Sequence, residues 1–260
     1  MKVALVQMDV VHGRPEINKR TVLRFLEEAV LEKPDVIVLP EMWNTGYDLE
    51  HLADLADENG RDSLDFLSSF AKKHAVNLLA GSIANKKSDG YYNTSFAIDR
   101  EGNLLSSYDK VHLFGLMSEA DYLQAGQSES HFSFDGRACS AAICYDIRFP
   151  EWIRTLMSRG SQLLFVVAQW PEARQEQWEI LLRARAVENQ AYLVAVNRVG
   201  QSPDNVFSGH SMVVDPLGRL VLQAPDHQEG VFYCNLDFEL VSQVRGQIPV
   251  FDDRRPELYR

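Results

Sequence analysis

Four side chains stand where short apolar runs end. Glu41 closes Val36-Ile37-Val38-Leu39-Pro40, Lys110 follows residues 104–109, Cys144 follows Ser140-Ala141-Ala142-Ile143, and Trp170 follows Phe165-Val166-Val167-Ala168-Gln169. The carboxyl ends of strands are where ligand crevices form in α/β sheets. A thiol there can attack a carbonyl, a carboxylate can carry its proton, and an ammonium can hold the oxyanion that develops. Cys144 leads through Asp146-Ile147-Arg148-Phe149-Pro150 into a helical pattern with Pro at the first turn. Amide N–H groups after such a bend favour negative charge. Glu41, flanked by Pro40 and Met42-Trp43, is placed to be desolvated, which suits a general base near neutral pH. Glu119 follows in a loop-like stretch, Leu116-Met117-Ser118. Taken singly, each has a plainer role. A cysteine is often a small buried hydrophobe, a strand-end carboxylate caps the next turn, and most lysines are solvated.

These residues need a scaffold of alternating strands and helices. Apolar runs predict strands over 3–10, 36–39, 77–84, 92–99, 104–110, 137–143, 163–168 and 191–197. A closing meander is predicted over 211–215, 220–223 and 230–236. Helical spacing covers 17–32, 62–74, 150–159 and 174–190, and the tail from 241 to 260 is mixed. The pattern reads as one α/β domain, 1–260, with helices packed outside mixed sheets. Arg185 and Glu188 read as a helix-surface ion pair.

The 260 residues carry 26 basic and 37 acidic side chains, a formal charge of −11, which argues against a nucleic-acid or anionic-membrane binder. Any anionic substrate must be attracted locally. Three cysteines form neither a disulfide framework nor a zinc spacing, so Cys139 and Cys234 read as packing and the compartment as reducing and cytoplasmic. Met1-Lys2-Val3-Ala4-Leu5-Val6-Gln7-Met8-Asp9 turns polar too soon for a signal peptide, and no apolar run is long enough to span a membrane. No phosphate-cradling, dinucleotide or HExxH motif is present, and the expectation is no cofactor and no catalytic metal.

Pro40-Glu41, Asp109-Lys110 and Ile143-Cys144-Tyr145-Asp146-Ile147-Arg148-Phe149-Pro150-Glu151, in that order, resemble the nitrilase (carbon–nitrogen hydrolase) superfamily across essentially the whole chain. The block from Glu41 to Leu49, the block from Cys144 to Trp152, and Pro249-Val250-Phe251-Asp252-Asp253 are similar to its omega-amidases, in particular those of bacterial methionine salvage. The resemblance implies a four-layer α-β-β-α sandwich and a homodimer. The dimer would form through the helices near 150–160 and 175–190, with the tail (about 241–260) reaching across. It implies a catalytic triad of Glu41, Lys110 and Cys144, supported by Glu119 and the Tyr145 backbone N–H. The implied substrate is a small amide, 2-oxoglutaramate foremost. A deaminated thiol-peptide, an N-carbamoyl compound or a nitrile is the alternative within the family, and a non-enzymatic scaffold is the alternative outside it. A substrate carboxylate calls for an arginine. Arg148 and Arg174 are the candidates, with Arg148 alternatively bracing the turn through Asp146 or Glu151. Trp43, Tyr145 and Trp170 are candidate pocket walls.

Overall fold

Lys2–Gln7 form the first strand, β1, and its side chains divide by parity. Val3 and Leu5 enter one apolar cluster, while Ala4 and Val6 enter another on the opposite face. The next strand, β2 (Val36–Val38), repeats the division, with Val36 and Val38 facing as Val3 does and Ile37 facing as Ala4 does. A strand whose side chains alternate between two apolar environments must be covered on both faces.

The computed structural model describes residues 1–259. The remaining strands are β3 (Asp57–Glu58), β4 (Asn77–Lys87), β5 (Gly90–Ile98), β6 (Leu104–Asp109), β7 (Phe132–Phe134), β8 (Arg137–Ile143), β9 (Leu163–Ala168), β10 (Tyr192–Asn197), β11 (Val199–Gln201), β12 (Val206–Ser208), β13 (Met212–Val214), β14 (Leu220–Gln223) and β15 (Gly230–Asn235). The helices are α1 (Pro15–Ala29), α2 (Leu52–Leu55), α3 (Arg61–His74), α4 (Glu119–Tyr122), α5 (Pro150–Met157), α6 (Gln175–Asn189) and α7 (Phe238–Gln247).

One sheet runs β15-β1-β2-β4-β5-β6, with β3 paired to β4, and the other runs β14-β13-β10-β9-β8-β7. At the centre of the first, β1, β2 and β4 are parallel, and at the centre of the second so are β8, β9 and β10. Helices α1 and α3 present Val22, Phe25, Leu26, Leu67 and Phe70 to the outer face of the first sheet. Helices α5 and α6 present Ile153, Leu156, Trp178 and Leu182 to the second. Between the sheets, Val3, Leu5, Val36 and Val38 share a cluster with Phe165 and Val167. The layers are therefore α-β-β-α. Each sheet places the carboxyl ends of its parallel strands at the same mouth, which is where the chemistry gathers.

Several expected boundaries move. The first strand ends at Gln7 rather than residue 10, although Met8 and Val10 stay buried. The first helix starts at Pro15, and its last expected residues, Val30–Glu32, tighten into a 3-10 turn. The start of the tail, read as mixed, forms α7 together with the residues just before it, and the helix is started by the Asp237 side chain, which accepts from Glu239 N at 3.0 Å. Arg185 is 6% exposed and donates to Ile147 O at 2.8 Å as well as to Glu188 at 3.0 Å, so the expected ion pair forms but is half-buried, with only Glu188 reaching the surface. No helix among the described residues is long and apolar enough to cross a membrane.

Candidate active site

Glu41 leaves β2 on a turn shaped by its neighbour β4. The β4 register slips between Leu79 and Ser82, and Gly81 sits there at φ +61°. The bulge turns Ser82 toward the Glu41 turn. Ser82 N donates to Pro40 O at 3.2 Å, while Ser82 Oγ and O accept from Met42 N at 2.9 Å and Trp43 N at 3.0 Å. Met42 takes a left-handed φ of +45° as a result. The Glu41 side chain is fully buried, and both oxygens are held. Oε1 accepts from Lys110 Nζ at 2.9 Å, Tyr47 OH at 2.7 Å and Asn93 Nδ2 at 2.8 Å. Oε2 accepts from Gln169 N at 2.7 Å.

Lys110 follows β6, and its main-chain N–H reaches Asn93 O at 2.9 Å, which fixes where the side chain starts. Nζ lies between two carboxylates, 2.9 Å from Glu41 and 2.7 Å from Glu119, with all three side chains fully buried. Burial alone would lower its pKa, but the charges of Glu119 and Glu41 outweigh burial and hold it above its ordinary value. It is an ammonium. Glu119 opens the short turn α4 rather than lying in an open loop, and its Oε2 accepts from Phe114 N at 2.6 Å. The Tyr47 hydroxyl, 2.7 Å from both Glu41 and Glu119, has its pKa pushed well up by burial first and by the two carboxylates second. It remains a donor.

Cys144 follows β8 with φ +45°, a conformation a side chain adopts only when its surroundings enforce it. Asp146 enforces it here. This buried carboxylate accepts from Ile143 N at 3.0 Å, His112 N at 3.0 Å and Tyr108 OH at 2.7 Å, and Trp152 Nε1 donates to Tyr108 OH at 3.0 Å. The residues Cys144–Arg148 form a 3-10 turn, and α5 begins only at Pro150. Burial pushes the Cys144 thiol well above its ordinary value; the Glu41 charge raises it further and Lys110 opposes. The thiol therefore rests protonated beside the carboxylate that can take its proton.

A narrow pocket opens over Cys144. Its walls are Phe114, Tyr145, Trp170 and Pro171, with Gln169, Arg148 and Arg174 supplying polar groups. The Arg148 guanidinium stands 4.8 Å from the Trp170 ring centroid, and that of Arg174 stands 5.7 Å from the Phe114 ring. Two cations and no carboxylate line this pocket among the described residues, so a small anion is favoured inside an acidic molecule. The turn brace expected of Arg148 falls to Tyr108 and His112 on Asp146. Trp43 is a correction. It is 1% exposed, packs with Phe25 and Leu26 under α1, and donates Nε1 to Ala80 O at 2.9 Å, so it is core and not a pocket wall. Tyr47, Asn93, Phe114 and Gln169 also belong to this neighbourhood without having been singled out in the sequence. Gln169 alone carried the strand-end signal, hidden beside Trp170.

Over residues 2–246 the chain matches the carbon-nitrogen hydrolase family model, and it belongs to that family, within the nitrilase superfamily of enzymes. It is 46% identical over 257 residues to the 2-oxoglutaramate amidase of Bacillus subtilis, covering 99% of this chain and 98% of that one. An omega-amidase of Yersinia enterocolitica is 33% identical, covering 97% of this chain and 96% of its own. Among solved structures, a carbon–nitrogen hydrolase superfamily protein from Xanthomonas campestris superposes with a TM-score of 0.91 at 28% identity, over 98% of this chain and 97% of that one.

Proposed function

We propose that this protein is an omega-amidase that hydrolyses the terminal amide of a small carboxylic acid, 2-oxoglutaramate foremost, to the acid and ammonia. The observation that carries the reading is geometric: the fully buried Glu41 carboxylate, held by the Lys110 ammonium at 2.9 Å, gathers with Cys144 beneath a pocket with two arginines. The 46% identity to a 2-oxoglutaramate amidase supports the choice of substrate.

In the first step Cys144 Sγ attacks the amide carbonyl as Glu41 takes the thiol proton. Lys110 and the Tyr145 backbone N–H stabilise the oxyanion. Collapse breaks the C–N bond, and Glu41 returns its proton to the leaving nitrogen, releasing ammonia and leaving a thioester. Water, losing a proton to Glu41, then attacks the thioester, and the proton passes back to sulfur as the acid departs. Glu119 holds Lys110 in place throughout, at 2.7 Å. Arg148 and Arg174 bind the substrate carboxylate, with Trp170 and Tyr145 as walls.

The test is ammonia release from 2-oxoglutaramate by the purified protein beside Cys144→Ala. Release from the parent and none above background from the variant is expected. No release, together with turnover of a nitrile or an N-carbamoyl compound, would sink the omega-amidase reading while leaving the hydrolase.

A further inference from the structure

The proposed base and nucleophile stand on different sheets. Glu41 follows β2 in one, and Cys144 follows β8 in the other. Something must hold the two sheets in register at this mouth, because a displacement of about 1 Å at a reacting centre can cost a hundredfold in rate. Apolar packing between sheets excludes water but does not fix a carboxylate to that tolerance.

Gln169 makes the crossing. It follows β9, a neighbour of β8, and makes three hydrogen bonds to the Glu41 turn, two of them to Glu41 itself. Its main-chain N–H donates to Glu41 Oε2 at 2.7 Å, and its side-chain amide donates to Glu41 O at 2.8 Å and Met42 O at 3.4 Å. The remaining amide oxygen accepts from Arg198 NH1 at 3.1 Å. Arg198 follows β10 and is fully buried, a costly place for a guanidinium without a task. Its other contacts are the carbonyls of Val199 at 2.9 Å and Gln201 at 3.4 Å, the Phe207 ring at 4.5 Å, and Asp9 Oδ1 at 2.5 Å. Asp9 lies just beyond β1, as Glu41 lies beyond β2, and β1 and β2 are neighbours in one sheet. Two links thus cross the sandwich side by side, Gln169 to Glu41 and Arg198 to Asp9, and the Arg198–Gln169 bond ties them together.

We infer that Gln169, braced by Arg198, is a cross-sheet pin on the Glu41 side, as the Tyr108–Asp146 bond is on the Cys144 side, and that it sets the base against the nucleophile, which makes both Gln169 and Arg198 positioning residues for the hydrolysis. The inference rests on the roles proposed for Glu41 and Cys144. The Gln169 side chain reaches the Glu41 and Met42 carbonyls and Arg198 but not the Glu41 carboxylate, so it acts by orienting the Glu41 turn against the Gln169 main-chain N–H that grips the carboxylate.

The experiment is a double-mutant cycle of Gln169→Met and Arg198→Met, reading kcat, KM and Tm on whichever amide the parent turns over. Gln169→Met is expected to lower kcat roughly ten- to a hundredfold with KM within about twofold, since the loss is one of alignment. The double variant is expected to lose no more than the worse single, because residues acting through one contact do not add. A Gln169→Met enzyme with kcat within about twofold of the parent, a loss confined to KM, or losses that multiply would each overturn the pin. If Arg198→Met does not fold, the kcat of Gln169→Met decides alone. A parent without Cys144-dependent turnover of any amide would instead overturn the reading on which the pin rests.

Discussion

Arg148 and Arg174 flank the same pocket but are held by different rings, Trp170 and Phe114. Hydrogen bonds to charged groups contribute about 1.5–3 kcal/mol each. Arg148→Met and Arg174→Met are each expected to raise KM for a carboxylated amide roughly tenfold or more. On an uncharged amide of similar size each should leave KM within about twofold. Steady-state kinetics on such a substrate pair would check this, and equal losses on both would count against charge recognition. At this scale the sequence was informative about strand-end residues and poor about their partners. Glu41, Lys110, Cys144 and Trp170 were visible because each ends an apolar run. Tyr47, Asn93 and Phe114 were not, because their role is defined by what folds against them. Trp43 was misplaced for a related reason. An aromatic two residues past a strand end can face either the mouth or the core, and the left-handed Met42 turns it toward the core.

Among the elements, β4 carries the most consequence for the site. Gly81 opens the bulge that presents Ser82 to the Glu41 turn, and a Cβ there would lie 2.1 Å from Pro40 O. Backbone on backbone cannot yield cheaply, and a left-handed residue other than glycine costs about 1–3 kcal/mol besides. Gly81→Ala is expected to lower Tm by about 4 °C or more and to cut kcat further than stability alone explains. Thermal denaturation and kinetics on the folded fraction would check it, and an active, parent-like Tm variant would show that the bulge is dispensable. The strand itself was legible from residues 77–84, whereas the bulge was not. It arises from pairing with β2, and a lone glycine in an apolar run does not announce it. The helix α7 escaped notice because only Phe238, Val241 and Val244 are buried, a stripe too narrow to stand out in a mixed tail.

For the molecule as a whole, the alternation of strands and helices was enough to expect helices outside mixed sheets, since all-apolar parallel strands demand cover on both faces. The pairing of the two sheets into α-β-β-α came from resemblance, because no local pattern says which faces meet. Apolar side chains remain exposed on α6 and beyond it, with Ile180 at 59%, Ile248 at 61% and Leu258 at 62%. We propose that this side, with the tail, is where two copies of the chain meet. Removing residues 248–260 is expected to shift the mass in light scattering from dimer toward monomer. A parent that is already monomeric, or a truncated protein of unchanged assembly state, would count against it.

The burial of Cys144 has one more consequence. Peroxide and stray electrophiles react with thiolates, and they need access. If Cys144 is the nucleophile, its neutral resting state leaves little thiolate for them, although the pocket above it still admits a small molecule. On the proposed mechanism, the placement that makes the sulfur depend on its carboxylate partner would also slow its oxidation between turnovers, so that selectivity toward the amide and endurance under peroxide would share one cause.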